Sequence, residues 1–324
     1  MRFLLTLSLA AMLVFLPGCS EKPADDQGAG STAVTPDQNA CVIDFQPRDL
    51  AVGQWISYGV DQDPAEVTFS VVAREAVAGT DCFWIQIEAG GNALQILIDP
   101  VLLGEAMDKA SEAANEFLAD PEAFVQTNAP GTPQQFLTTE DNLQNFMTFV
   151  SAVKMVKMSE NGTIMAYDLT NVPATLQPVL QDPDFLAQLQ AGFTVNMQGA
   201  DAAGMTDSLA RKLSEYEFDA ENTTMNIAGA TLEGSSFTIT GTDRNAEVFF
   251  SSELPIFPLA FATATDSTGK THSISVRGYG DEGAENLIPG APAQTVDIAP
   301  MIQMLITQMQ SQMQQAPARG AGGQ

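Results

Sequence analysis

A single histidine, His272, stands among 324 residues, and only 13 Lys and Arg accompany 40 Asp and Glu. With one imidazole there is no HExxH metal site, and a serine triad has only one candidate base. No GxSxG, CxxC or phosphate-binding loop occurs either. His272 alternates with Ile274 and Val276, so it reads as a core or edge residue of a strand. The shortage of basic residues leaves a net charge of −27. That excludes the electrostatic footprint of a nucleic-acid binder, and an acidic surface repels anionic lipid headgroups. Two acidic groups, Asp61, Asp63 and Glu66 and then Asp281, Glu282 and Glu285, lack the spacing of an EF-hand loop. The chain is therefore expected to be no enzyme, with no cofactor and no metal.

Cysteine is scarce too: Cys19, Cys41 and Cys82. The first closes an N-terminal leader. Arg2 is its positive region, and Phe3 to Leu16 is apolar apart from Thr6 and Ser8. Such a run is short for a transmembrane helix and reads as a signal peptide over residues 1–18. Leu16-Pro17-Gly18-Cys19 resembles the lipobox of bacterial lipoproteins. The resemblance implies a diacylglycerol on the Cys19 thiol and an acyl group on the new N-terminus. At ~0.8 kcal/mol per buried methylene, two or more chains anchor stably where one does not. Ser20, rather than Asp, is similar to the usual signal for outer-membrane sorting, so the expected place is the cell envelope, facing periplasm or surface. With Cys19 lipidated, Cys41 and Cys82 remain as an expected disulfide, reasonable in an exported chain and contributing roughly 4 kcal/mol. Two free thiols or a metal pair are the alternative, with no His or further Cys nearby to support them.

From Ser20 to Ala40 the residues are small, polar, charged or Pro, none of the apolar ones larger than Val34. Residues 19–40 read as a lipidated flexible tether with a reach of about 25 Å. A folded body follows over 41–295. Gly53 to Val60 predicts a first strand, and Val67, Phe69, Val71 and Ala73 alternate with polar residues as a second. Phe83, Ile85 and Ile87, then Leu94, Ile96 and Ile98, repeat the pattern after glycine turns. Four strands in sequence make an antiparallel meander.

Asp99-Pro100 carries a helix-start signal, Asp as cap and Pro in the first turn. Leu103, Ala106, Met107, Ala110, Ala114, Phe117 and Leu118 share one helical face. A second stripe, Leu143, Phe146, Met147, Val150 and Val153, predicts another helix. The stretch from about 100 to 221 is read as a mostly helical insertion, with short strands possible at 162–168 and 192–197. Strands resume near Thr223 as a second meander that closes the sheet. Asp297 to Gln314 predicts a C-terminal amphipathic helix with Ile298, Met301, Ile302, Leu305, Met309 and Met313 on its apolar side. Residues 316–324 are expected to form a disordered tail.

Two regions together resemble a family. One holds Gly53-Gln54-Trp55, Tyr58, Val60, Val71 to Glu75 and Phe83 to Ile87. The other holds Val248 to Ser251, Pro255 to Ala260, Gly278-Tyr279-Gly280, Ala284 and Ile288-Pro289. This arrangement looks like a group of bacterial exported proteins sharing the half-barrel fold of LolA-type and LppX-type lipoprotein carriers. The resemblance implies an α+β fold, a curved antiparallel half barrel covered by the helical insertion and the C-terminal helix around an apolar cavity.

Methionine is plentiful, with eight residues from Met107 to Met225 and four on the last helix. Unbranched and polarisable, it suits a conformable apolar lid as well as an ordinary core. The expected function is a membrane-anchored, non-enzymatic binder of a lipid or acyl chain. Phe69, Val71, Phe83, Ile85, Ile87, Leu94, Ile96 and Ile98 would line the sheet, and Phe146 and Met147 the covering helix. The alternative is a structural or protein-interaction module with no small ligand.

Overall fold

The computed structural model describes residues 43–46, 48–60, 66–120, 124, 140–160, 162–182, 216–241, 245–265 and 268–315. The leader, Cys19, the tether, Cys41, the expected strand at 192–197 and the C-terminal tail lie outside the described residues.

Four strands follow the alternation in the sequence: β1 (Trp55–Val60), β2 (Glu66–Val77), β3 (Thr80–Ala89) and β4 (Asn92–Ile98). They pair antiparallel in order. Two tight turns set that order. Ala78 and Gly79 have φ of 52° and 89°, and Gly90 and Gly91 have 57° and 77°. Positive φ at both central residues gives a turn whose twist matches that of the flanking strands.

Asp99 caps α1 (Pro100–Ala119) by accepting from the N–H groups of Val101 and Leu102. After α2 (Glu140–Ala152), Val153 begins β5 (Val153–Glu160), which pairs with β4. This corrects the helical reading of Val153, which is paired with Ile98 in the ladder. β6 (Thr163–Asp168) completes a hairpin with β5, and α3 (Val172–Leu180) follows.

The second meander comprises β7 (Glu217–Ile227), β8 (Ala230–Thr240), β9 (Asn245–Phe250), β10 (Leu259–Thr265) and β11 (Thr271–Gly280). β11 pairs with β1, which joins the two meanders side by side. The packing is close there. A Cβ on Gly278 or Gly280 would come within 3.0 or 2.8 Å of the Trp55 indole. β12 (Gln294–Asp297) runs parallel to β6, and α4 (Ala299–Gln315) ends the described chain.

The result is one 12-stranded mixed sheet, ordered β12-β6-β5-β4-β3-β2-β1-β11-β10-β9-β8-β7. This corrects the expected α+β half barrel. The sheet is open, with β12 and β7 at its edges; the supposed helical insertion contributes β5 to it, and β6 forms at the short strand expected over 162–168. The second meander extends the sheet and does not close it.

Two of the core clusters among the described residues join distant parts of the sheet. Leu103, Met107, Ala110 and Ala114 of α1 pack with Ile43, Phe45, Phe237, Val248 and Phe250. Ile56, Tyr58, Val71, Ile85 and Val276 pack with Leu254 and Ile256 from the β9–β10 connection. Ile98 touches both clusters. The chain's entry is fastened to α1, where Asn115 exchanges two hydrogen bonds of 2.8 Å with the Ile43 backbone.

Helices α1, α2, α3 and α4 pack in succession. Ile302 and Ile306 of α4 meet Leu176 and Val179 of α3. This too departs from the sequence reading, because Met301, Leu305 and Met309 of the expected apolar side point into solvent.

Candidate functional site

Register turns the strand alternation into rows of side chains across β2 to β5. Phe69, Ile87, Leu94 and Met158 are partnered in one row; Val71, Ile85, Ile96 and Val156 in the next; Phe83, Ile98 and Val153 in a third. The period of two puts these rows on one face. Burial falls along them. Val71 and Ile85 are 0% and 2% exposed and packed against the β9–β10 connection. Phe69, Phe83, Ile87, Leu94, Ile96, Ile98, Val156 and Met158 are only half-buried. Phe69 is steadied by edge-to-face contacts with Tyr58 and Phe257. Phe83 lies under the Arg74 guanidinium at 5.9 Å.

The structure thus divides the expected ligand residues. Val71 and Ile85 are core, and the others on the sheet form a half-buried apolar strip. Met147 stands apart from that strip. It walls a groove of about 690 Å³ between α1, α2 and α3 with Leu102, Leu143, Pro173 and Leu180. Phe146 is 37% exposed.

The opposite face of the same strands carries an apolar cluster of Cys82, Trp84 and Leu97 and, beside it, a connected group of polar side chains. Gln95 donates to Gln86 Oε1 (3.0 Å) and to Asn286 Oδ1 (2.7 Å). Gln86 donates to the Glu285 carbonyl and accepts from the Leu287 N–H. Beside them Trp84 donates to Glu75, and Lys157, opposite Gln95 in the ladder, lies over the Trp84 ring. Burial pushes the Lys157 pKa down, and Glu75 opposes that shift. Glu75, Trp84 and Gln86 fall in the segments that carry the family resemblance, but none of this cluster was expected as a functional site. The Gln-x₈-Gln pairing of β3 with β4 is the one signal that could have found it.

Other candidates resolve simply. Cys82 is buried and, among the described residues, unbridged, its Sγ directed at the Thr80 carbonyl; its expected partner Cys41 lies outside the described residues. His272 is exposed near the start of β11, facing Ala264. Asp281 pairs with Arg48 at 2.6 Å, and the Glu282 carbonyl accepts from Trp55. Asp61 and Asp63 lie outside the described residues. Among the described residues no three His, Cys, Asp or Glu side chains gather as metal ligands. No described helix is long and apolar enough to cross a membrane.

No protein family matches the chain, and no curated protein matches it. Three solved structures are similar to it. One, named as an exported protein with a YmcC-like fold, from Bacteroides fragilis, is 8% identical, with 74% of this chain and all of that chain covered and a TM-score of 0.26. The hypothetical protein CT021 from Chlamydia trachomatis is 11% identical over 75% and 94%, TM-score 0.26. One named as a lipoprotein, from Parabacteroides distasonis, is 9% identical over 74% and 99%, TM-score 0.23. These values assign no family, and the carrier group expected from the sequence is not among the three.

Proposed function

We propose that this chain is an exported lipoprotein, anchored through acyl chains on Cys19 and sorted to the outer membrane. Its role is to bind an apolar ligand, a lipid or acyl chain, without catalysing a reaction. The observation that carries the binding role is the half-buried strip from Phe69 through Ile87 and Leu94 to Met158, continued by Ile96 and Val156. Fully packed sheets seal such rows, whereas a binding face keeps apolar area for a guest. The anchoring role rests on the leader and on Leu16-Pro17-Gly18-Cys19.

Native mass spectrometry tests the binding role on the mature chain carrying Cys19→Ser, purified from its own envelope, with organic extraction of anything retained. Ile85 is too tightly packed to probe the face, so Leu94→Gln is the informative variant. Retained lipid that is lost from a folded Leu94→Gln protein supports the binder. A clean apo mass that takes up neither added fatty acid nor phospholipid overturns it in favour of a protein-interaction module.

A further inference from the structure

α4 turns its Ile302 and Ile306 side chains toward α3 and leaves a second apolar stripe outside. Met301, Met304, Leu305 and Met309 are 54%, 66%, 57% and 45% exposed. Their spacing of three, four and eight residues sets them along one side of the helix. Charge is missing from the same place. No Asp, Glu, Lys or Arg occurs between Asp297 and Arg319, and none lies in α3 between Asp168 and Asp182. Two packed helices are therefore uncharged in a chain of net charge −27.

From this we infer that the outer face of α4 rests on the surface of the bilayer. The inference builds on the anchoring reading, since acyl chains on Cys19 and a tether reaching about 25 Å hold the domain within range of headgroups. Acidic surface is repelled by anionic lipid, so the domain settles with its uncharged face toward the membrane. A helix with exposed Met and Leu beside Gln and Thr partitions shallowly into the headgroup boundary and does not insert across it.

Methionine oxidation reads this contact without changing the sequence, because peroxide converts an accessible thioether to the sulfoxide and spares a covered one. The lipidated full chain is reconstituted in phosphatidylethanolamine–phosphatidylglycerol vesicles and compared with the Cys19→Ser chain in solution. Sulfoxide formation is followed peptide by peptide by mass spectrometry. The expected result is a several-fold slower oxidation of Met301, Met304 and Met309 on vesicles, with Met225 unchanged. Equal rates on an acylated chain overturn the contact while leaving the anchor intact. An N-terminal peptide mass without acyl groups overturns the anchor, and with it the choice of a bilayer as occupant. Protection of the unlipidated chain that grows with protein concentration assigns the stripe to a second copy instead, and also overturns the inference.

Discussion

The Lys157 ammonium lies 4.7 Å from the centre of the Trp84 ring, whose indole N–H donates to Glu75 at 2.7 Å. Burial lowers the Lys157 pKa, so the folded chain holds this proton less tightly than the unfolded chain does. Free lysine titrates near ~10.4, and between the folded value and that point the unfolded state binds more protons. Stability contributed by this site therefore rises with pH across that window. The denaturation midpoint of the native protein climbs relative to Lys157→Met as pH approaches ~10.4. Parallel midpoints across the window would count against the buried ammonium.

Asp99 serves two partners at once. Its Oδ1 caps α1, and its Oδ2 lies 3.3 Å from Lys154 Nζ, both side chains being largely buried. Asp99→Ala removes the cap and leaves Lys154 without its counter-charge, at a cost of about 2–4 kcal/mol. Asp99→Asn keeps an acceptor for the helix start and costs clearly less. Urea denaturation of the two variants checks the order.

Gln86 and Gln95 differ in how many groups depend on them. Gln86→Leu strands the Glu285 carbonyl and the Leu287 N–H and takes one of the two acceptors of the Gln95 amide, and is expected to cost about 2–4 kcal/mol. Gln95→Leu removes only donors, and Asn286 still accepts from the Ile288 N–H. It also removes an Oε1 that has no hydrogen-bond partner. Its expected cost is within about 1 kcal/mol. Thermal melts that rank the two variants the other way contradict this account.

Gly234 of β8 admits no side chain. A Cβ there would lie 1.9 Å from the Phe250 carbonyl oxygen and 2.9 Å from the Phe249 ring. Relief requires moving backbone, so Gly234→Ala is expected to lower stability by roughly 3 kcal/mol. Gly229→Ala meets no atom within 4 Å but carries the strain of φ +83°, and should cost less. Differential scanning calorimetry of both separates crowding from strain.

The strands bounded by glycine turns were legible because Phe69, Ile87 and Leu94 alternate cleanly, and Asp99-Pro100 marks a helix start in any context. β5 was not. Lys154 and Lys157 interrupt its apolar period, and Lys157 is buried only because Trp84 and Glu75 come from other strands to receive it. The rotation of α4 was equally hidden. Met301, Leu305 and Met309 recur at the same helical spacing as Ile302 and Ile306, and periodicity alone cannot choose which row meets α3. Gln86 and Gln95 look like an outer polar face until residues 285–287, far along the chain, cover them. The apolar strip was named from sequence on β2 to β4 but not on β5, and the filling of its Val71–Ile85 centre by Ile256 depends on a connection with no local signal.

Ser57 donates to the Gly278 carbonyl across 221 positions, at the seam where β1 meets β11. A chain delivered from its N-terminus completes β1 to β4 while the far side of β1 is still bare, because its neighbour is among the last strands to arrive. Such contacts between distant residues form late, and a bare strand is a template for other chains until they do. The β1 edge is thus the point at which an emerging copy needs shielding, and a chain cut before Thr271 retains that adhesive edge permanently.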